Sequence, residues 1–401
     1  MRKLEKFIKQ NNISLIEVVF LDLFGDTRQF TIPKERLADA INFGLKCDGS
    51  SINCANKIQN SDTRLLLDKS SYYLLPNGNL MIFCFTDSPY DARKNLLDMQ
   101  TNLKQKSFDI NFGAEIEFFL FKMLNSKPDF TNNDNSHYLN PLIENYELCL
   151  RDVANFCKDK INLEAIHHEC ATNQFEIDFK YDTPLKTADN IVFIKRVIKY
   201  FANKYNLVAC FMPKPINGQS GSGMHINMSV YKNDINLFYD NTDQNNLSQF
   251  AYDFIQNIFK HISAITAFTN PNVNSYKRLN TGFEAPTSVE YSSSNRSVVM
   301  RIPKASPKTT RVELRSPDVS CNPYISFLAV LVAGFDADTE TTNIIIPKKL
   351  PKSLKEAIDY LSSDDLIKNL VPESYLQKKQ LEFENFETQV TNLDIEKYFN
   401  V

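Results

Sequence analysis

Hydrophobic positions along this chain recur at two spacings, and the switches between them mark out most of its elements. Residues 15–33, LIEVVFLDLFGDTRQFTIP, hold two apolar runs separated by Gly25-Asp26, a turn dipeptide, and predict a pair of joined strands. KERLADAINFG predicts a helix that ends at Gly44. Two more apolar runs over 63–84 flank the turn Pro76-Asn77-Gly78-Asn79. These signals stop at Asp87-Ser88-Pro89, the expected linker, so residues 1–88 predict a small mixed domain and 89–401 a larger one. Beyond the linker, FGAEIEFFLF, QFEIDF, GMHINMSV and TRVELRSP predict strands. They alternate with helical stretches at 186–205 and 247–266, where apolar residues recur three and four apart. Ser353, three residues before Glu356, is a capping-box start for SLKEAIDYL. A last helix is expected to carry Leu376, Phe383, Phe386 and Val390 on one side. The class is α+β.

Several of these strands carry charges that a buried strand should not. In FGAEIEFFLF, Glu115 and Glu117 alternate, so period-two geometry puts both carboxylates on one face. Glu176 and Asp178 alternate in QFEIDF, His167-His168-Glu169 closes the apolar run LEAIHHE, and Arg311, Glu313 and Arg315 share one face of RVELR. His225 follows a glycine cluster, GQSGSGMH, which lacks the Lys-Ser/Thr of a P-loop. A solvent-facing strand with polar alternation explains any one of these. A single histidine beside a glycine loop is more often a hydrogen-bonded core residue. Together, carboxylates with one imidazole suit a hard cation, Mg²⁺ or Mn²⁺, better than zinc. Arg278, Arg296, Arg301, Arg311 and Arg315, with Lys308, crowd the same region. They form either a solvated basic face or forks for phosphate and carboxylate anions. By themselves the residues point to metal-dependent phosphoryl chemistry and no further.

Composition narrows the setting. Forty-five basic residues against 48 acidic ones leave a formal charge of −3, so charge gives no argument for nucleic acid or an anionic membrane. No apolar run approaches the ~18 residues that span a bilayer, and the charged start MRKLEKFIKQNN lacks the apolar core of a secretory signal. The eight cysteines are scattered without a CxxC pair, as expected of free thiols in a reducing cytoplasm.

At these same segments the sequence resembles the class I glutamine synthetases. DGSSI (48–52), AEIEFFLF (114–121), HHECAT (167–172), FMPKP (211–215), GSGMH (221–225), NPNVNSYKRL (270–279), GFEAP (282–286), NRS (295–297), RIP (301–303) and RVELRSPD (311–318) fall in that family's order. The resemblance runs from about residue 15 to the end. It implies a small N-terminal β-grasp-like domain and a larger catalytic domain with an antiparallel sheet and flanking helices. It implies ATP and two or more Mg²⁺ or Mn²⁺ ions, with glutamate and ammonium as the other substrates. It also implies a homo-oligomer of two stacked hexameric rings, a dodecamer, with active sites between subunits. Matched position by position, Glu117, Glu169 and Glu176 resemble the ligands of one metal, and Glu115, His225 and Glu313 those of the other. Gly221, Arg278 and Arg315 match the glutamate site, Arg296 a catalytic phosphate clamp, and Ser229, Arg301, Lys308 and Arg311 the nucleotide site. Asp48, supplied by the adjacent subunit, and Glu284, on a mobile flap, match the carboxylates of the ammonia site, where Glu169 and Tyr138 also fall.

The chain departs from the family pattern in ways that change expectations. The run Thr172–Glu176 is one residue shorter and lacks a glycine; if the strand itself absorbed the difference, Glu176 would turn to the opposite face. Ser220 stands where Asn is usual, and Asn227 where the family has a second histidine. Lys57 replaces an arginine that some members use in feedback control, keeping charge but not the bidentate fork. The segment between Phe121 and His167 is short, and a tyrosine loop that some members adenylylate, expected after Asp336, is missing. Two other functions compete with a glutamate–ammonia ligase: a γ-glutamyl-amine ligase acting on an organic amine, and a non-catalytic oligomer. Asp48 and Glu284 favour ammonia over an organic amine, and the retained metal and anion positions speak against loss of activity.

Overall fold

The computed structural model describes residues 2–52, 61–125, 127–130, 137–280, 285–336 and 346–389. Lys57, Glu284, Val390 and the segment 337–345 after Asp336, on which expectations above rest, lie outside the described residues.

The first unit is α1 (Arg2–Gln10), β1 (Leu15–Leu21), β2 (Thr27–Pro33), α2 (Leu37–Phe43), β3 (Leu45–Asp48), β4 (Asp62–Leu74) and β5 (Leu80–Thr86). The five strands lie in the order β2-β1-β5-β4-β3, antiparallel except for the β1/β5 pair. Both expected strand pairs form, and the 22–26 turn is held by Asp22, whose carboxylate accepts from the Phe24 and Asp26 N–H groups. Both faces of β1 are covered, which is why its sequence is nearly continuously apolar. Ile16, Val18 and Phe20 join Leu80, Ile82 and Cys84 in a core with Leu4, Leu37 and Ala40 of the two helices. Val19, Met81 and Phe83 belong instead to the large core of the rest of the chain. The charged N-terminus, from which no element was expected, is helical: Leu4 is buried and Phe7 and Ile8 pack on the sheet, an amphipathic stripe.

The larger unit contains α3 (Ala92–Gln105), β6 (Asp109–Leu124), β7 (Lys127–Pro128), α4 (Glu144–Cys157), β8 (Leu163–His168), β9 (Gln174–Phe179), α5 (Pro184–Lys204), β10 (Leu207–Cys210), β11 (Met224–Lys232), β12 (Ile235–Asn236), α6 (Gln249–Thr269), α7 (Val273–Arg278), β13 (Ser288–Ser292), β14 (Val298–Arg301), β15 (Val312–Leu314), α8 (Pro323–Gly334), α9 (Leu354–Ser363) and α10 (Glu373–Thr388). Its main sheet runs β13-β14-β15-β11-β6-β9-β8 and is antiparallel except between β13 and β14. Helices α5, α6 and α8 bury the far side; α8 is apolar all round and almost wholly enclosed, as such a helix must be. Ser353 caps α9 by accepting from the Glu356 N–H. The return arm of the expected box reaches the Lys352 N–H rather than that of Ser353. On α10 the expected face is only half used: Leu376 is buried and Phe383 packs on the core, whereas Phe386 is exposed. Among the described residues no helix is long and apolar enough to cross a membrane.

Candidate active site

Strand β6 is the axis of the site. Its first half pairs with β11 and its second with β9, so the face bearing Glu115 and Glu117 meets side chains from both neighbours. The register sets His225 opposite Glu115, with Asp178 on the other side of Glu115. One step along, Glu117 faces Glu176, which faces His167 on β8. On the flank, Arg301 faces Glu313, which faces Asn227. Directly opposed carboxylates destabilise a sheet, so Glu117 against Glu176 and Glu115 against Asp178 need something outside the strands' own pairing.

The expected departure at Glu176 does not occur. The shorter run is absorbed in a tight turn, not in the strand: Asn173 adopts a left-handed conformation (φ 60°), a role its short amide side chain tolerates. The turn is closed by the Glu169 N–H to the Gln174 carbonyl (2.8 Å) and the Gln174 N–H to the Ala171 carbonyl. Strand β9 keeps its phase, and Glu176 faces the cleft, 3.2 Å from His167 Nε2.

The cleft has a volume of about 430 Å³ and is lined by Glu115, Glu117, Glu169, Glu176, Asp178, His167, His225, Tyr138, Ser220, Gly221, Arg278, Arg296, Arg301 and Arg315, among others. Among the described residues, three sets of side chains bring one ligand atom each within 4.8 Å of one another: Glu115, His225 and Glu313; Glu117, Glu176 and His225; and His167, Glu169 and Glu176. The first is one of the expected metal sets. The second expected set is divided, with Glu117 and Glu176 meeting at His225, and Glu169 meeting Glu176 at His167.

The two ends of the site differ electrostatically. Glu313 is paired with both Arg301 (2.8 Å) and Arg315. Glu115 is half-buried, and its desolvation opposes ionisation, but the His225 hydrogen bond (2.9 Å) and its charge, with a further bond from Asn227, outweigh this and hold its pKa down at about 2. Glu176 goes the other way: burial, reinforced by Glu117, Glu115 and Asp178, pushes it up to about 8 despite its bond to His167. Burial and the Glu115 charge raise Asp178 to about 6, and burial with Glu117 raises Glu169. His167 is held protonated by its bond to Glu176, up to about 9. At this end of the site the carboxyls crowd one another, and each raises its neighbours' pKa.

Arg278 is buried and its fork is anchored on two carbonyls, Nη1 to Ser316 (2.8 Å) and Nη2 to Arg315 (3.2 Å). It crosses directly over the glycine cluster. A Cβ at position 223 would lie 2.5 Å from Arg278 Nη2, and one at 221 would lie 2.2 Å from the Pro213 carbonyl. The cluster therefore serves close approach of backbone to an arginine, not phosphate cradling.

A second cavity of about 500 Å³ shares Glu115 and Asp178 with the first and is lined by Ser229, Lys308, Arg311, Asn227, Tyr181 and Glu164. Three of the four expected nucleotide residues meet here; Arg301 lines the first cleft. Asn227, where the family has a histidine, joins the two cavities: its amide donates to Glu115 (3.0 Å) and accepts from Arg311 Nε (2.9 Å).

Asp48 is not among the residues lining this cleft. It is exposed at the end of β3, and hydrogen bonds from Ser50 and Ser51 hold its carboxyl below the usual carboxylate range. His168 turns into the core against Phe175, the ordinary outcome for a histidine in an apolar run. Residues given no specific role by the sequence also line the cavities: His167 and Asp178, whose charges the strand pattern singles out, and Gln174 and Glu164, which it does not. Period two from Glu176 leads to Gln174 and Asp178. Glu164 was not findable, because a bulge between Leu163 and Ala165 re-aims it.

Comparison with known proteins agrees across both units. Residues 12–87 match the glutamine synthetase β-grasp domain and 89–398 the glutamine synthetase catalytic domain. A glutamine synthetase of Methanosarcina mazei is 36% identical over 98% of this chain and 96% of its own length. One of Thermotoga maritima is 36% identical over 98% of both. Among solved structures, a GmaS/ADP complex superposes with a TM-score of 0.88 at 25% identity, covering all of both chains. The glutamine synthetase of Plasmodium falciparum superposes at 0.87 and 25%, covering 99% of this chain and 98% of its own. With its two units matched in order and its relatives aligned almost end to end, this chain belongs to the glutamine synthetase family.

Proposed function

We propose that this chain joins ammonia to the γ-carboxylate of L-glutamate with ATP, through γ-glutamyl phosphate. The observation that carries the reading is one cleft where Glu115, Glu117, Glu176 and Glu313 meet His225 and four arginines, beside a second cavity lined by Ser229, Lys308 and Arg311. The donor set fits divalent cations: it is rich in carboxylates with an imidazole, and among the described residues the buried Asp178 Oδ1 has no hydrogen-bond partner. Glu117, Glu169 and Glu176 would hold one ion and Glu115, His225 and Glu313 the other, as Mg²⁺ or Mn²⁺. When bound, the ions withdraw charge from phosphate oxygens as Lewis acids.

The chain's own residues do the rest. Gly221, Arg278 and Arg315 bind glutamate, while Ser229, Lys308 and Arg311 hold the nucleotide and Arg296 and Arg301 its terminal phosphate. The γ-carboxylate oxygen attacks the γ-phosphorus and ADP leaves, the arginines offsetting repulsion between two anions as they meet. Ammonium then sits among Glu169, Glu284 and Asp48 of a neighbouring subunit, with Tyr138 at the edge. A carboxylate takes its proton, ammonia attacks the acyl carbon, and phosphate leaves.

The position of Asp48 outside its own chain's cleft supports an assembly in which a neighbour completes each site; membership of the glutamine synthetase family is the ground on which we assign that assembly as a dodecamer. The matches ending at 87 and starting at 89 support two domains, 1–88 and 89–401. We assign the reaction to the cytoplasm. The test is phosphate release by the full chain with ATP, glutamate, Mn²⁺ or Mg²⁺ and either ammonium or a panel of organic amines. Turnover with ammonium is expected; turnover confined to one organic amine overturns the assignment. Light scattering should give the mass of twelve chains.

A further inference from the structure

Gln174 opens β9, two residues before Glu176 and four before Asp178, so its side chain lies on the same sheet face. It is fully buried, and its amide is spent in three directions. Oε1 accepts from the Ala171 N–H (3.1 Å), while Nε2 donates to Glu117 Oε2 (3.2 Å) and to the Gly221 carbonyl (3.1 Å). The orientation is unambiguous, because the first partner can only donate and the other two can only accept. Glu117 Oε2 receives a second bond from the Gly223 N–H (2.8 Å). That oxygen already accepts two protein hydrogen bonds. Glu117 Oε1 is the oxygen left facing His225 Nε2, at 3.7 Å.

We infer that Gln174 is a positioning residue for the metal and glutamate sites. It restricts Glu117 to one free oxygen, Oε1, and ties that carboxylate to the Gly221 loop, so cation and amino acid are held by one rigid unit. This rests on the proposed role of Glu117 as a metal ligand. A hydrogen-bond partner behind a ligand typically accounts for about 10–100-fold in metal affinity, and Gln174 should lie in that range. Its effect should reach glutamate, through Gly221, but not ATP, whose cavity Gln174 does not line.

The experiment compares the full chain with Gln174→Met, which keeps length and volume but removes every donor, with Gln174→Asn, which withdraws the amide by one methylene, and with Glu117→Gln. Mn²⁺ binding is followed by the electron paramagnetic resonance of free Mn²⁺, metal-free melting reports folding, and KM is measured for glutamate and ATP separately. The expected result is Mn²⁺ affinity about 10–100-fold weaker in either Gln174 variant that melts as a folded chain, with KM raised for glutamate and unchanged for ATP. Wild-type Mn²⁺ affinity in both Gln174 variants, with binding lost in Glu117→Gln, overturns the inference and leaves the metal reading standing. Wild-type affinity in Glu117→Gln overturns the metal reading itself. A drop in melting temperature alone, with affinity and KM unmoved, reduces Gln174 to a packing residue and also overturns the inference.

Discussion

Two buried polar clusters in this molecule use similar side chains to opposite ends. Between the two units, Arg93 grips Asp189 through two parallel bonds (2.9 and 2.7 Å) and reaches Asp68 (2.8 Å). Ser71 and the Tyr324 hydroxyl also donate to Asp189, giving its carboxylate four donors from three elements. Every carboxylate there is satisfied by the protein itself. On the catalytic face, Glu117, Glu169, Glu176 and Asp178 lie close together without such a full set of donors, and the crowding appears as raised pKa values at Glu169, Glu176 and Asp178. A matched cluster holds two units together, and a mismatched one awaits a charge from outside. Burial alone does not separate structural from functional polar groups; the balance of donors does.

The contrast can be broken most sharply at Glu117. Glu117→Gln should lower turnover by about 10³-fold, several kcal/mol of lost cation-mediated stabilisation. Its metal-free resistance to urea should be held or improved, because a like-charge contact with Glu176 is removed; a large loss of stability would place Glu117 in the other class. Arg93→Met should behave inversely, costing about 3–5 kcal/mol in denaturant unfolding by stranding Asp189. Any activity lost should return with stability when a stabilising osmolyte is added.

pH gives a third, somewhat smaller effect. Glu176 has its folded pKa raised from 4.5 to about 8, so the folded chain keeps a proton that the unfolded chain gives up. Its contribution is therefore fully present below about pH 4.5 and lost as pH rises to about 8. Metal-free melting temperature should fall across that window, and Mn²⁺ should restore it by an increment that grows with pH. Glu176→Gln should flatten the metal-free profile. The smallest change, Ser353→Ala, removes an ordinary helix cap remote from both clusters. It should cost about 1 kcal/mol in thermal unfolding with activity per folded chain unchanged, which sets the scale of a local contact.

Much of this was readable before folding. The strand pairs at 15–33 and 63–84 followed from apolar runs broken by turn residues. The shared face of Glu115 and Glu117 followed from alternation alone, because side-chain direction in a strand is a local property of the backbone. The amphipathic α1 was also legible in the sequence, with Leu4, Phe7 and Ile8 at helical spacing against charged residues.

The sequence by itself determined which charges would share a face within each strand, the alternation of helices and strands, and, through ten ordered motifs, the family. Only the tertiary structure decided which strand lay beside which, and thus that Glu117 opposes Glu176, that Asp178 crowds Glu115, and that Glu313 is neutralised by Arg301 and Arg315 while Glu176 is not. It also decided that the shortened 172–176 run would be taken up by a left-handed Asn173, keeping the strand in phase. The physical reason is one of range. Alternation and turn preference act over a few residues, whereas the charge balance of a buried site is a sum over side chains far apart in sequence, fixed only when register brings them together.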